Sequence, residues 1–413
     1  IDGSYVNATR VLDLLLNLQE GPDGIAAQVL GLPGQPAISL QVAGAAPLDD
    51  FAATIAIGTD GQDRLNGTFA LQEGDAGQTI SLDVAGDVSP LFEPAYQGFF
   101  GDDASLNVAV VRGDNQLAIP RLALDAGRVA HDGRLVIGAD GWAGAIDLRG
   151  GSTPVGSDPV LLPLSGPQTF VDGMDLVISY DADVVDTWRA DIAVNGLTRP
   201  GIAIEALSLA GGGLLRSGLG PQTGAVTADL QYGATGLQFD DVGAAQALGD
   251  TVSGAFVAAR IEGERTNISR LTLPGAGLDA SLQGTVGGGA SGVESDLTLQ
   301  AQIAGLSRFA QLIGRDIAGD AKVDVAAQLT PLDGLFDISL TGQTTDLAIG
   351  IKQADAVLAG TGEIAARAIR DIDGTRLERF DVRTDAARVQ GVAEITSTGT
   401  EAAVDLRLND LAV

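Results

Sequence analysis

His131 is the only histidine in 413 residues, and cysteine is absent. Those two facts remove thiolate nucleophiles, disulfides and the common zinc sites, and leave any Ser-His-Asp arrangement dependent on His131 alone. His131 stands beside Asp132-Gly133, residue types that favour turns, so it reads as a solvated turn histidine rather than a catalytic base. Carboxylates are paired at Asp49-Asp50, Asp102-Asp103 and Asp240-Asp241. Adjacent residues on a strand point to opposite faces, so these pairs read as loop solubilisers and not as acid–base couples or cation sites. Asp371-Ile372-Asp373-Gly374 resembles part of a calcium loop. With Gly374 as the turn glycine, however, the first and last ligands would be Ile369 and Phe380, which cannot coordinate. Gly211-Gly212-Gly213 and Gly287-Gly288-Gly289 lack the strand-to-helix setting and the Gly-Lys-Ser/Thr of a phosphate loop, and read as flexible turns. The expectation is therefore no catalytic residue, no metal site, no cofactor and no enzyme.

Charge and composition narrow the partners. With 54 acidic and 24 basic residues the formal charge is −30, against a nucleic-acid partner, which needs clustered Lys and Arg. Lys322 and Lys352 are the only lysines. Strong acidity keeps a chain that is 45% hydrophobic in solution by self-repulsion. No run of apolar residues is long enough for a membrane-spanning helix, and no signal peptide is evident. The chain opens at Ile1 and closes in the alternating run Val404-Asp405-Leu406-Arg407-Leu408, which reads as a segment of a longer protein.

The elements that would position any functional side chain are strands. Ile80-Ser81-Leu82-Asp83-Val84, Leu106-Asn107-Val108-Ala109-Val110 and Phe336-Asp337-Ile338-Ser339-Leu340 place an apolar residue at every second position. Each such run gives one apolar and one polar face, the pattern of an antiparallel sheet. Turn residues such as Asp60-Gly61, Asp75-Ala76-Gly77 and Asp132-Gly133 punctuate the runs. Strand plus turn recurs at about 10 to 14 residues, which projects to roughly 30 strands. Length alone points to two or three domains. The pattern nevertheless runs on from about Ile38 without a linker, so the fold expected is all-β, one elongated antiparallel-rich sheet of degenerate repeats with short helical inserts. At about 4.8 Å per strand it would reach roughly 140 Å unless it folds back, and must twist or curl.

The repeats are visible directly. Ile119-Pro120-Arg121-Leu122-Ala123-Leu124 and Ile268-Ser269-Arg270-Leu271-Thr272-Leu273 read alike, with a weaker copy at Leu377-Glu378-Arg379-Phe380-Asp381-Val382. Helical inserts are expected from Asp87 to Phe100, within Gly236 to Gly254 around Val242 to Leu248, and from Gly305 to Ile317, each lying across one end of the sheet where it can cap the apolar face. A further amphipathic helix is expected from about Thr9 to Leu18, ended by Gly21-Pro22, with Val11 and leucines 12, 15, 16 and 18 as its stripe. Residues 1–20 would then pack as a helix on a continuous β segment spanning 21–413, with weak boundaries near 150–170 and 290.

Ile38-Ser39-Leu40-Gln41-Val42-Ala43-Gly44, Pro47-Leu48-Asp49-Asp50-Phe51-Ala52-Ala53 and Arg64-Leu65-Asn66-Gly67 resemble the central region of TamB-type proteins, the translocation and assembly module family related to AsmA. So do Leu82-Asp83-Val84-Ala85-Gly86-Asp87, Phe99-Phe100-Gly101, Pro159-Val160-Leu161-Leu162-Pro163-Leu164 and Tyr180-Asp181-Ala182 with Trp188. The similarity is clear over roughly the first 290 residues and diffuse beyond; the family's amino-terminal membrane anchor and extreme carboxy-terminal segment have no counterpart here. The resemblance implies a β-taco, a sheet curled lengthwise into an apolar gutter. It implies a periplasmic location, anchorage to the inner membrane by a segment outside this chain, phospholipid acyl chains as cargo, and a TamA-type outer-membrane β-barrel partner. A chain of about 16 carbons costs on the order of 13 kcal/mol to expose to water, so crossing an aqueous gap needs a continuous apolar surface.

The residues expected to line that surface are Ile38, Leu40, Val42, Ile80, Leu82, Val84, Leu106, Val108, Leu122 and Leu124, then Leu271, Leu273, Leu297, Leu299, Val323, Val325, Phe336 and Ile338. The bland alternative closes them on themselves as a sandwich core, in a structural or adhesive β-repeat scaffold. A third reading, a polysaccharide-acting enzyme on a parallel β-helix, draws only on scattered carboxylates, Trp142 and Trp188.

Overall fold

Period-two patterning governs what forms. In the computed structural model, which describes residues 2–152, 159–162, 164, 166–218, 223–289, 292–397 and 399–409, 27 strands join in one antiparallel sheet that does not close into a barrel. Antiparallel pairing throughout the described ladders removes the parallel β-helix. The chain divides into two units, residues 1–200 with 206–210 and 214–222, and residues 201–205, 211–213 and 223–413. The boundaries expected near 150–170 and 290 fall partly on residues outside the described set.

The first unit runs β1 (Asp2–Val6), β2 (Val11–Glu20), α1 (Ile25–Val29), β3 (Ile38–Pro47), β4 (Asp50–Thr59), β5 (Gln62–Gly74), β6 (Gly77–Gly86), α2 (Pro94–Phe100), β7 (Ala104–Arg112), β8 (Gln116–Ala126), β9 (Val129–Gly138), β10 (Ala143–Ser152), β11 (Val160–Leu161), β12 (Phe170–Val171), β13 (Gly173–Asp181) and β14 (Val185–Arg199). β15 (Ile202–Arg216) carries the division. The second unit runs β16 (Ala225–Thr235), β17 (Gln238–Phe239), α3 (Val242–Leu248), β18 (Thr251–Ile261), β19 (Thr266–Gly275), β20 (Leu278–Gly289), β21 (Gly292–Ile303), α4 (Ala310–Ile313), β22 (Ala318–Thr330), β23 (Leu335–Ala348), α5 (Lys352–Leu358), β24 (Thr361–Asp371), β25 (Gly374–Thr384), β26 (Ala387–Thr396) and β27 (Gly399–Leu408).

Within each unit the long strands pair with their chain neighbours. In the first unit α1 joins β2 to β3, α2 joins β6 to β7, and the short hairpin β11–β12 lies between β10 and β13. Strands alternate direction, so these three inserts all leave the ladder at the same end. In the second unit α3, α4 and α5 likewise precede β18, β22 and β24 at one end, while the other end has only short turns among the described residues. Three inserts fall where the sequence placed them; α1 and α5 are additional.

The expected helix at Thr9–Leu18 is instead the strand β2. Leu12, Leu14, Leu16 and Leu18 alternate onto one face, and the full length of β2 pairs with β3 from Val11 opposite Pro47 to Glu20 opposite Ile38. The lateral ladder satisfies every second backbone group and outweighs leucine's modest helix preference, which Asp13 and Asn17 also weaken. Asp132-Gly133 is likewise no turn but the middle of β9, where Gly133 pairs with Leu122 and Leu148. Both triple-glycine runs lie in strands, in β15 and β20.

The repeated Ile-x-Arg-Leu motif turns out to be a bulge. On β8 Ile119 pairs with Leu135 and Leu122 with Gly133, three steps against two on β9. β19 repeats this with Ile268 opposite Gly284 and Leu271 opposite Leu282, and β25 with Leu377 opposite Ala393 and Phe380 opposite Gly391. The extra residue brings the first and fourth positions of the motif onto one face, and the exposed Arg121, Arg270 and Arg379 turn to the other.

Strands approach closely where a tyrosine crosses a glycine. The Tyr232 hydroxyl donates to the Thr272 carbonyl at 2.5 Å, reaching past β18 at Gly254. A Cβ on Gly254 would lie 2.0 Å from that carbonyl oxygen and 2.6 Å from the tyrosine hydroxyl, so only glycine fits. Gly254→Val should lower stability by about 1–3 kcal/mol, and Tyr232→Phe by about 1 kcal/mol. Urea unfolding midpoints check both, and a Gly254→Val midpoint equal to wild type contradicts the close approach.

Candidate functional site: an apolar sheet face

Residues directly opposite one another in an antiparallel ladder share a face, so register alone traces rows of side chains. In the first unit one row runs through Leu16, Val42, Ile55, Gly67, Val84, Leu106, Leu124, His131, Gly150, Leu176 and Ile192. The row beside it passes from Phe69 through Leu82, Val108, Leu122, Gly133 and Leu148 to Ile178. In the second unit the corresponding row is Leu230, Phe256, Leu271, Leu282, Leu299, Val325, Leu340, Ala366, Phe380, Gly391 and Val404.

All eighteen lining candidates fall on these faces, ten in the first unit and eight in the second. Ile38 and Val84 are buried, Ile80 is 38% exposed, and the remaining fifteen are half-buried. Sequence reasoning missed Leu16, Ile55, Phe69, Leu176, Leu282 and Leu340, which share the rows. Leu16 was assigned to a helix, and Ile55, Phe69 and Leu282 lie in runs where glycine or alanine blunts the alternation. Leu176 is followed by the out-of-phase Val177, and Leu340 closes a recognised alternating run of which only Phe336 and Ile338 are among the candidates.

Half-burial of large aliphatics across a whole face is what a sheet with no second layer over it shows. The largest fully buried side chains among the described residues are only two valines, Val160 and Val171. The accessible surface is 23539 Å², whereas two separate globular bodies of half this mass would together expose about 18,000 Å². The chain thus exposes more surface than two compact globular bodies would.

One end of the first unit is covered. Val160 and Val171 of the β11–β12 hairpin pack with Val194, and Phe99 of α2, Met174 and Ile192 lie against them. At the same end of the ladder Ala104, Ala126, Val129 and Ser152 are buried, Ser152 opposite Met174. The row through Leu106, Leu124 and Leu176, one step further from the end, is half-exposed. His131 belongs to that second row, not to the solvated turn expected for it.

The opposite face is polar, and several of its charges are paired. In the second unit Arg367 donates to both carboxylate oxygens of Asp337 at 3.0 and 2.7 Å, and Arg388 to both of Asp381 at 3.2 and 2.7 Å. A recess of about 440 Å³ on this face is lined by Lys322, Arg379 and Arg383 against Asp324, Glu363 and Asp381. Balanced charge of that kind selects neither anions nor cations. Of the carboxylates singled out in the sequence, Asp49 pairs with Arg10 at 3.1 Å, Asp50 accepts from Gln72, and Asp241 caps α3 by accepting from the Ala244 amide. Asp371 closes the β24–β25 turn, accepting from the Asp373 amide and pairing with Arg376 at 2.6 Å.

Fold and faces together define an antiparallel β-sheet protein with one aliphatic and one polar face. No family model, curated protein or solved structure matches the chain.

The polar face carries a pH dependence of definite sign. Hydrogen bonds from Arg367 and Arg388 hold the Asp337 and Asp381 carboxyls below their ordinary value. A lowered folded value stabilises above the unfolded carboxylate value of about 3.9, and that stabilisation is lost as pH falls through the folded values beneath it. The urea midpoint of the second unit should therefore be flat between about pH 7 and 5 and decline below about pH 4. In the Asp337→Asn, Asp381→Asn double variant that acid decline should be shallower; an identical decline would mean that these pairs add nothing to folding.

Proposed function

We propose that this chain is a lipid-carrying segment, its apolar sheet faces holding phospholipid acyl chains as they pass across an aqueous compartment. The observation that carries the reading is the half-exposed, mainly aliphatic face, whose rows run from strand to strand in each unit. Acyl chains lying along such rows exchange water contact for methylene contact at about 0.8 kcal/mol per CH₂. No specific pocket is needed, which accords with a lining of Leu, Ile, Val, Ala and Gly and with 4% aromatic content.

The resemblance to TamB-type proteins extends the proposal. The chain would act in the periplasm, in a protein held to the inner membrane by a segment outside it, supplying phospholipid toward the outer membrane and supporting assembly of outer-membrane proteins with a TamA-type barrel. The competing scaffold reading needs the aliphatic face to be packed away, and its half-exposure speaks against that.

Mass spectrometry of organic extracts from protein purified without detergent should find phospholipid at stoichiometric level, above an equally handled control. Leu82→Asp and Leu273→Arg should abolish that lipid while leaving thermal unfolding close to wild type, because a charge on a half-exposed face keeps access to water. In a closed core the same changes would bury an unpaired charge at a cost of several kcal/mol, and both variants would fail to fold. Lipid at control level in the wild type would sink the proposal.

A further inference from the structure

Among the described residues three buried side-chain atoms have no hydrogen-bond partner: His131 Nδ1, Ser152 Oγ and Arg216 Nε. The first two meet at one place. His131 on β9 lies opposite Gly150 on β10, and Ser152, two residues on, alternates onto the same face. Imidazole and hydroxyl are thus diagonal neighbours on the apolar face of the first unit. A Cβ on Gly150 would stand 2.1 Å from His131 Nδ1, so the ring lies over that glycine and depends on it.

Of the five other buried hydroxyl residues among the described ones, three bond within the protein. Thr59 accepts from Arg64 at 2.9 Å, Thr169 donates to the Pro167 carbonyl at 3.2 Å, and Thr384 donates to the Val357 carbonyl at 2.7 Å. Ser152 is 3% exposed and makes no such bond. An alanine would pack there without stranding a donor, so the serine is explained by something that the protein itself does not provide. The side chains around the pair on this face, Leu122, Leu124, Ala126, Leu148 and Met174, offer no polar atom but a thioether. The charged residues of the same strands, Arg121, Asp125, Asp132, Arg134, Asp147 and Arg149, alternate onto the other face.

We propose that His131 and Ser152 form a polar niche that binds the anionic oxygen head, carboxylate or phosphate ester, of an amphiphile whose tail lies along the neighbouring aliphatic rows. Both groups can donate, and an anionic oxygen accepts without donating, so it satisfies both at once. The niche sits where the covered end of the face meets the half-exposed rows, which places the head under the cap and the tail on the open lane. This inference rests on the lipid-carrying reading and adds a fixed station to it.

The test uses the delipidated full chain with laurate, dihexanoyl phosphatidylglycerol and uncharged dodecanol. Because His131 is the only histidine, imidazole nitrogen resonances report on the niche alone. Laurate or the phospholipid should shift those resonances and dodecanol should not; the stronger of the two anionic arms identifies carboxylate or phosphate as the head. By calorimetry, Ser152→Ala and His131→Phe should each weaken anionic binding about tenfold or more and leave dodecanol affinity unchanged. Ser152→Ala removes a stranded hydroxyl and keeps the fold, so the test does not depend on the histidine variant. Unmoved resonances, or anionic affinity unchanged in Ser152→Ala, would overturn the niche and assign both orphaned atoms to ordered water. Dodecanol binding with no niche response leaves the lipid-carrying reading standing, whereas wild-type protein that binds none of the three amphiphiles overturns both.

Discussion

Everything in this structure depends on register in the antiparallel ladder. Each strand bonds laterally to its neighbours in the chain, and a side chain's face is decided by which residue it sits opposite. A slip of one residue in any strand would move leucines to the polar face and arginines to the apolar one. Lateral hydrogen bonds and cross-strand pairs therefore carry a share of stability that a sandwich would assign to its core. The few buried residues, small ones such as Ala104, Ala126, Ala280 and Ala301 among them, fit that distribution.

Holding register through so many strands while the sheet twists requires correction, and the bulges supply it. At Ile119–Leu122, Ile268–Leu271 and Leu377–Phe380 three residues span the distance of two on the neighbouring strand. Each bulge occurs on the second strand after an insert, following α2, α3 and α5 respectively. Insert and bulge thus recur together at three of the five helices. The insert caps an end of the face and the bulge re-aims the next strand, so that aliphatic side chains stay on the capped side.

Much of this was legible in the sequence because alternation and turn chemistry are local signals. The strands at Ile80, Leu106 and Phe336, the shared face of the eighteen apolar candidates, and the inserts near Phe99, Val242 and Leu306 could all be read from spacing. What was not legible had a long-range cause. Leu12 to Leu18 satisfies a helical stripe and a strand face equally well, and only the ladder with β3 decides between them. Asp132-Gly133 has turn chemistry, yet its glycine is needed because a Cβ would come within 2.4 Å of the Asp147 carbonyl oxygen on the adjacent strand. The same misreading put His131 in solvent. The Ile-x-Arg-Leu repeat was visible, but its meaning as a bulge exists only in the pairing of three strands.

The two faces also depend on one another through charge. A broad exposed aliphatic face is a liability for association with other copies or with itself. Here it shares strands with a polar face on which some arginines pair with carboxylates, as Arg367 does with Asp337 and Glu378, and Arg388 with Asp381. Individual pairs of this exposed kind contribute about 0–1 kcal/mol each, so their main effect is not stability. With 54 acidic residues against 24 basic ones, a large negative surplus remains whatever the pairing. That surplus repels other copies over roughly a Debye length, ~8 Å at physiological salt. Short-range apolar contact can then be reserved for a ligand small enough to lie within the rows.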